Sequence, residues 1–366
     1  MEGDRSVFVF HDDRMLQHRP DSNTPFLKDR LDRRVRSILE TLNVEWKYPE
    51  HPGRLSAIMD LLASSPVEGV SFQTGRAATR EQLARVHATA YLDDIETYRG
   101  KQAWLDVDTT AVSAGSIEAA EVAAGTSIAA VEAVVAGAAD HSFALVRPPG
   151  HHAESLRARG FCLFNNVAVA AAHAQAALDC PRVLIIDWDA HHGNGTQSIF
   201  WADPDVLLFD VHRAAPFYPG TGHMDEIGGG RGEGTTVNVP LTATAGDAAV
   251  LQAFRRILGP AAQWFQPDLI LVSPGFDAHY SDLALNMSFD GFGALAGYVQ
   301  GLADELCEGR LALILEGGYN TESLAGSVHR VLQVLAGGQV EEPSEAGQED
   351  VEQAVAFHLS AFSEDF

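Results

Sequence analysis

Arg182-Val-Leu-Ile-Ile-Asp-Trp-Asp-Ala-His-His-Gly-Asn-Gly-Thr-Gln197 decides how this chain is read. Its first half is a continuous apolar run, which suits a strand buried on both faces, as in a parallel sheet. Its second half sets two carboxylates and an imidazole where that strand ends. A side-chain period of two sends Asp187, Asp189 and His191 to one side, and Gly193-Asn194-Gly195 turns the chain beyond them. Oxygen and nitrogen donors grouped this way suit a zinc-like divalent ion, whereas a purely structural role poorly accounts for three ionisable groups within five residues. Taken alone the segment also fits caps and turns, so its meaning rests on its surroundings.

Those surroundings repeat the pattern. Apolar runs lie at Val7 to Phe10, Phe143 to Val146, Val183 to Ile186, Val206 to Phe209, Leu269 to Val272 and Leu311 to Leu315. Helical stretches separate them at Ser116 to Ala136, Asn166 to Ala177, Asp247 to Phe265, Phe289 to Cys307 and Ser323 to Ala336, and Thr79-x-x-Gln82 reads as a capping box opening another. The alternation predicts an α/β fold around a mainly parallel sheet flanked by helices. Polar clusters follow the runs: Arg147-Pro-Pro-Gly-His-His152, Asp210-Val-His212, Ser273-Pro-Gly-Phe-Asp277 and Glu316-Gly-Gly-Tyr319. In such sheets ligands bind outside the carboxyl ends of the strands, so five clusters at that edge point to one active site.

Composition narrows the function. With 50 Asp and Glu against 25 Lys and Arg, the net charge of -25 repels phosphate backbones, so direct nucleic-acid binding is not expected. The acidic surface suits a cationic ligand. Three cysteines, Cys162, Cys180 and Cys307, form no CxxC pair and fit a reducing cytoplasm. No apolar stretch is long enough to span a bilayer, and no export signal is read at the N-terminus. One domain is expected over residues 1–340, with a charged loop excursion at 17–52; residues 341–366 read as an acidic tail with a C-terminal helix from Val351 to Phe362.

The ordered set Arg-Pro-Pro-Gly-His-His-Ala, Gly160-Phe-Cys-Leu-Phe-Asn-Asn166, Asp-Trp-Asp-x-His-His-Gly-Asn-Gly-Thr-Gln, Tyr218-Pro-Gly-Thr-Gly222, Gly-Phe-Asp-Ala and Glu-Gly-Gly-Tyr resembles the zinc-dependent histone deacetylase superfamily. The likeness runs from about Val7 to Leu335 and favours the class II branch, with bacterial deacetylase-like amidohydrolases and acetylpolyamine amidohydrolases. It implies a single-domain arginase/deacetylase-like fold. It makes Asp189, His191 and Asp277 ligands of one catalytic Zn2+, and His151 and His152 the acid–base pair, oriented by Asp187 and Asn194. Class I members carry an aspartate where Asn194 stands, so His152 is expected to be less basic. Tyr319 is expected to donate to the oxyanion. Phe161 and Tyr218 would wall a tunnel for an acyl-lysine-like chain, and Gly160 and Gly318 would allow close substrate approach. A structural K+ is implied near Asp187, Asp189, His191, Asp210 and Val211, and a homo-oligomer, dimer or tetramer, through the extended first loop.

The chain departs from the pattern in places. Asp282 is followed by Leu283-Ala284 where relatives have Asp-Pro-Leu, and Ala284 supplies none of the charge that polyamine-selective relatives place there. The loop after Tyr98, Arg99-Gly-Lys-Gln-Ala-Trp104, lacks the peptide-clamping acid, and neither Asp106 nor Asp108 aligns with it. The leading expectation is a zinc-dependent deacylase acting on acetyl-lysine or a related short-acyl amine, with an acetylpolyamine amidohydrolase as the alternative. An arginase-like two-metal ureohydrolase needs acids where Gly193 and His279 stand. A catalytically silent binder of acylated ligands is disfavoured by intact His151, His152 and Tyr319.

Overall fold

In the computed structural model, the described residues are 5–20, 48–106, 109–340 and 351–362. Most of the excursion expected at 17–52 and the acidic stretch 341–350 lie outside them. The strands are β1 Val7–His11, β2 Val70–Thr74, β3 Ala103–Trp104, β4 Ala111–Val112, β5 His141–Ala144, β6 Val183–Asp187, β7 Val206–Arg213, β8 Thr236–Leu241, β9 Leu269–Ser273 and β10 Leu311–Ile314. Eight form one parallel sheet in the order β2-β1-β5-β10-β9-β6-β7-β8, while β3 and β4 make a separate antiparallel pair.

β5, β6, β9 and β10 are buried at every position; β6, β9 and β10 follow the expected apolar runs, while β5 spans His141–Ala144 and not the expected Phe143 to Val146. Helices cover the sheet in two packed groups. One joins Ser116–Val135 to Asn166–Ala177; the other joins Gly53–Ser64, Phe289–Leu306 and Thr321–Leu335. The expected helix over 247–265 is continuous but carries a π-helical turn at Phe254–Leu258. Thr79 does form a capping box, although the helix it opens is only Arg80–Leu83. The expected C-terminal helix is present at Glu352–Phe362, where buried His358 donates from Nε2 to the Asn238 carbonyl of the edge strand β8 at 2.8 Å.

Strand order explains why the polar clusters meet. The four central neighbours, β5, β10, β9 and β6, deliver the loops bearing His151-His152, Glu316-Gly-Gly-Tyr319, Asp277 and Asp189-Ala-His191. In parallel register Asp187 pairs with Asp210 on one side and Ser273 on the other, so the edge of the site is drawn at one level across three strands.

Candidate active site

The strand-alternation expectation for Asp187, Asp189 and His191 needs correction. β6 stops at Asp187, because the carboxylate there accepts the Asp189 N–H at 3.0 Å and curls the chain out of the sheet. Asp189 repeats the turn by accepting the His191 N–H at 2.9 Å. Such side-chain bonds to the backbone two residues on are what Asp offers a turn. Gly193-Asn194-Gly195 is likewise no strand-ending turn: Asn194 begins a helix that runs to Phe200.

The three ligand atoms of Asp189, His191 and Asp277 lie within 4.8 Å of one another. His191 Nδ1 is 3.0 Å from an oxygen of each carboxylate. The remaining lone pairs are already directed: Asp189 Oδ2 accepts the Gly317 N–H at 2.8 Å, and Asp277 Oδ1 accepts the Ala190 N–H at 3.0 Å. Asp277 Oδ2 is buried without a hydrogen-bond donor. A Cβ on Gly317 would come within 2.5 Å of Asp189 Oδ2 and 2.6 Å of Asp277 Oδ2, so only glycine lets the backbone close over this pair. Burial opposes charge on His191, yet the Asp277 and Asp189 carboxylates outweigh it and push its pKa up to about 9. The cradle therefore draws in positive charge, and two carboxylates with one imidazole fit a divalent cation such as zinc with a coordination position left open.

Beside the triad the imidazoles of His151 and His152 stand with ring centroids 4.0 Å apart. His151 Nδ1 is 3.0 Å from Asp187 Oδ2, and His152 Nδ1 is 2.8 Å from Asn194 Oδ1. Burial disfavours charge on both rings. Around His151 the carboxylates of Asp187, Asp189 and Glu316 overcome that penalty and hold its pKa well above the ordinary value. For His152, burial and the neighbouring His151 and His191 act together and hold it well below. Asn194 Nδ2 donates to Glu154 Oε1 at 3.1 Å, which fixes which end of the amide meets the ring. His152 must then donate from Nδ1 to Asn194 Oδ1, leaving an unprotonated Nε2.

Aromatic rings flank these groups. Tyr218 lies 5.1 Å from His152 and 6.2 Å from His191, ring centre to ring centre. Phe161 sits 5.6 Å from Tyr319 and 5.2 Å from Tyr48. Phe161 holds a left-handed φ of 68°, next to Gly160 at 56°, where a Cβ would come within 2.2 Å of His152. Gly318 has φ 116°. Burial and nearby Asp277 push the Tyr319 hydroxyl well above the ordinary tyrosine range, so it remains a donor. Asp106 is spent on its own turn, accepting from the N–H groups of Thr109 and Thr110 at 2.8 Å each; Asp108 is outside the described residues.

Several contributors were given no individual role from sequence. Phe217 stacks on His191 at 4.7 Å. Glu316 Oε2 accepts the N–H groups of Gly150 and His151 at 2.7 and 3.1 Å, and burial pushes its pKa up to about 7. Glu50, buried, takes Arg147 in a two-pronged pair at 2.9 and 2.7 Å and Arg54 at 3.0 Å. The two-metal alternative loses its ligands in space as well as in sequence. Gly193 turns its N–H to Asp210 Oδ2 at 2.8 Å, while His279 is engaged with Ser281 Oγ at 2.8 Å. Ala284 is buried, and its neighbour Leu283 is exposed.

Fold and site together define an α/β protein with a candidate mononuclear metal centre at the carboxyl edge of a parallel sheet. The chain belongs to the histone deacetylase family: the histone deacetylase domain matches residues 48–335. It is 40% identical over 313 residues to the chloroplastic histone deacetylase 14 of Arabidopsis thaliana, covering 79% of this chain and 73% of that one. With the histone deacetylase-like amidohydrolase of Pseudomonas aeruginosa the identity is 38% over 291 residues, covering 79% and 76%. The solved structure of the HDA15 HD domain superposes with a TM-score of 0.86 at 36% identity, covering 99% of this chain and 96% of that one.

Proposed function

We propose that this chain is a zinc-dependent amidohydrolase that removes an acetyl or other short acyl group from a lysine-like amine. The observation that carries the reading is the cradle of Asp189, His191 and Asp277 beside two imidazoles, His151 facing the Asp187 carboxylate and His152 the Asn194 amide. Zinc held by these three residues supplies Lewis acidity toward a carbonyl oxygen and lowers the pKa of water. His152, neutral with its Nε2 lone pair free, takes the proton from the attacking water. His151, kept cationic by Asp187, has a proton to give to the departing amine. Tyr319 donates its hydroxyl to the oxygen on which charge develops. Phe161, Tyr218 and Phe217 give an alkyl chain apolar walls.

A structural K+ near Asp187, Asp189, His191, Asp210 and Val211 belongs to the same reading, with the Asp210 carboxylate there held by the Gly193 N–H and by His212 Nδ1 at 2.6 Å. The test is hydrolysis by zinc-loaded protein of fluorogenic acetyl-lysine, trifluoroacetyl-lysine and acetylpolyamines, alongside Tyr319→Phe. The expected result is metal-dependent turnover of the lysine derivatives, with kcat lowered about 100- to 1000-fold in Tyr319→Phe. No hydrolysis of any of the three sinks the reading, and preference for acetylpolyamines moves it to that substrate class.

A further inference from the structure

Tyr319 follows Gly318, whose φ of 116° leaves the intervening peptide in a conformation that other residues rarely hold. Something must fix that peptide, because its orientation aims the tyrosine side chain. Asp282 Oδ2 accepts the Tyr319 N–H at 2.7 Å and the Asn320 N–H also at 2.7 Å. The carbonyl end of the same peptide, Gly318 O, accepts from Arg54 Nε at 2.6 Å, and Arg54 also donates to the Glu316 carbonyl. One peptide unit is thus gripped by an acidic side chain at its N–H and a buried guanidinium at its oxygen. Hydrogen bonds to ionised groups are the strong ones, and their geometry is directional.

Asp282 also belongs to the turn that leaves the metal cradle. The N–H groups of Leu283 and Ala284 return to the Asp277 carbonyl at 3.1 and 3.3 Å. The turn that carries Asp282 is therefore anchored on Asp277, and the bond to Tyr319 spans the two loops. Asn320 Nδ2 adds a second tie to the Ser281 carbonyl at 3.0 Å. We propose that Asp282 is a positioning residue, with Arg54 as its opposite jaw, that sets Tyr319 at a fixed distance from the reacting carbonyl. The inference rests on the reading of Tyr319 as oxyanion donor.

The test compares Asp282→Ala and Asp282→Asn in the parent enzyme and in Tyr319→Phe, with kcat and KM measured separately. Hydrogen exchange of the segment 316–322 is followed in the metal-free protein. A group acting through another loses its effect when that other is removed. Asp282→Ala should lower kcat about 100-fold with little change in KM, the scale expected when a catalytic group is misplaced by about an ångström. Asp282→Asn keeps an acceptor oxygen and should recover most of that loss. In the Tyr319→Phe background Asp282→Ala should cost less than about twofold. Exchange at Tyr319 and Asn320 should rise at least about tenfold in Asp282→Ala, as expected when bonded amides open locally. Equal losses in both backgrounds, or unchanged exchange, overturn the role of Asp282 alone. Full activity of Tyr319→Phe overturns the underlying reading as well. Should the alanine variant not fold, the partial loss in Asp282→Asn must still vanish in Tyr319→Phe, and its persistence counts against the proposal.

Discussion

Glu154 sets the tautomer of His152 without touching its ring. The Glu154 carboxylate accepts from Asn194 Nδ2, which turns the amide oxygen to accept the hydrogen bond from His152 Nδ1–H. Burial and the neighbouring His151 and His191 hold His152 well below the ordinary histidine range, and the Asn194 amide adds no charge to offset them. Activity that needs neutral His152 should persist at pH values where a solvent histidine is already protonated. It is lost as pH falls through the lowered pKa. Asn194→Asp places a carboxylate against the ring, favours the imidazolium and should move the acidic limb of kcat/KM upward by about one to three pH units. Pairing it with Glu154→Gln avoids two facing carboxylates. A pH profile with an unmoved acidic limb would show that Asn194 does not tune His152.

Elements hold the site through a buried charge cluster at its base. Glu50 joins Arg147, which enters the His151-His152 loop, to Arg54, which opens the helix Gly53–Ser64 and reaches the Tyr319 loop. Burial alone would raise the Glu50 pKa, but Arg147, His18 and Arg54 hold it well below the carboxylate range. Glu50→Ala leaves two guanidiniums buried without their carboxylate, so denaturant melts should show a loss of about 3–5 kcal/mol. A change below about 1 kcal/mol would mean the cluster is replaceable. The sequence revealed β6, β9 and β10 because their buried faces make apolar runs, whereas β5 begins two residues before its expected run, at His141-Ser142. It hid β2 and β8, which lie at the sheet edges. Val70-Ser-Phe-Gln-Thr74 is partly or fully exposed at every position, and Pro240 interrupts the β pattern of the other in a way only an edge tolerates. Donor residue types marked Asp187, Asp189 and His191, but it was the family resemblance that exchanged Asp187 for Asp277 and named the cluster found here. Glu50 and Asp282 were not legible. Glu50 meets Arg147 across 97 residues, and Asp282 bonds backbone amides, which every residue but proline carries.

At the scale of the whole molecule, four adjacent parallel strands deliver the cluster of Asp189, His191 and Asp277, the pair His151 and His152, and Tyr319 to a single edge. Gly193 and His279 stand where a second metal would need acids, so the proposed function uses a single catalytic ion. No helix among the described residues is long and apolar enough to cross a membrane. The family relation makes deacetylation the expected chemistry, and metal count separates it from two-metal hydrolysis on the same sheet edge. The decisive measurement is therefore a zinc titration of the metal-free protein, with acetyl-lysine hydrolysis as the readout. Turnover should rise linearly and saturate at one equivalent per chain, and Asp277→Ala should abolish the rise. Saturation only at two equivalents, or hydrolysis that ignores zinc, would contradict the account.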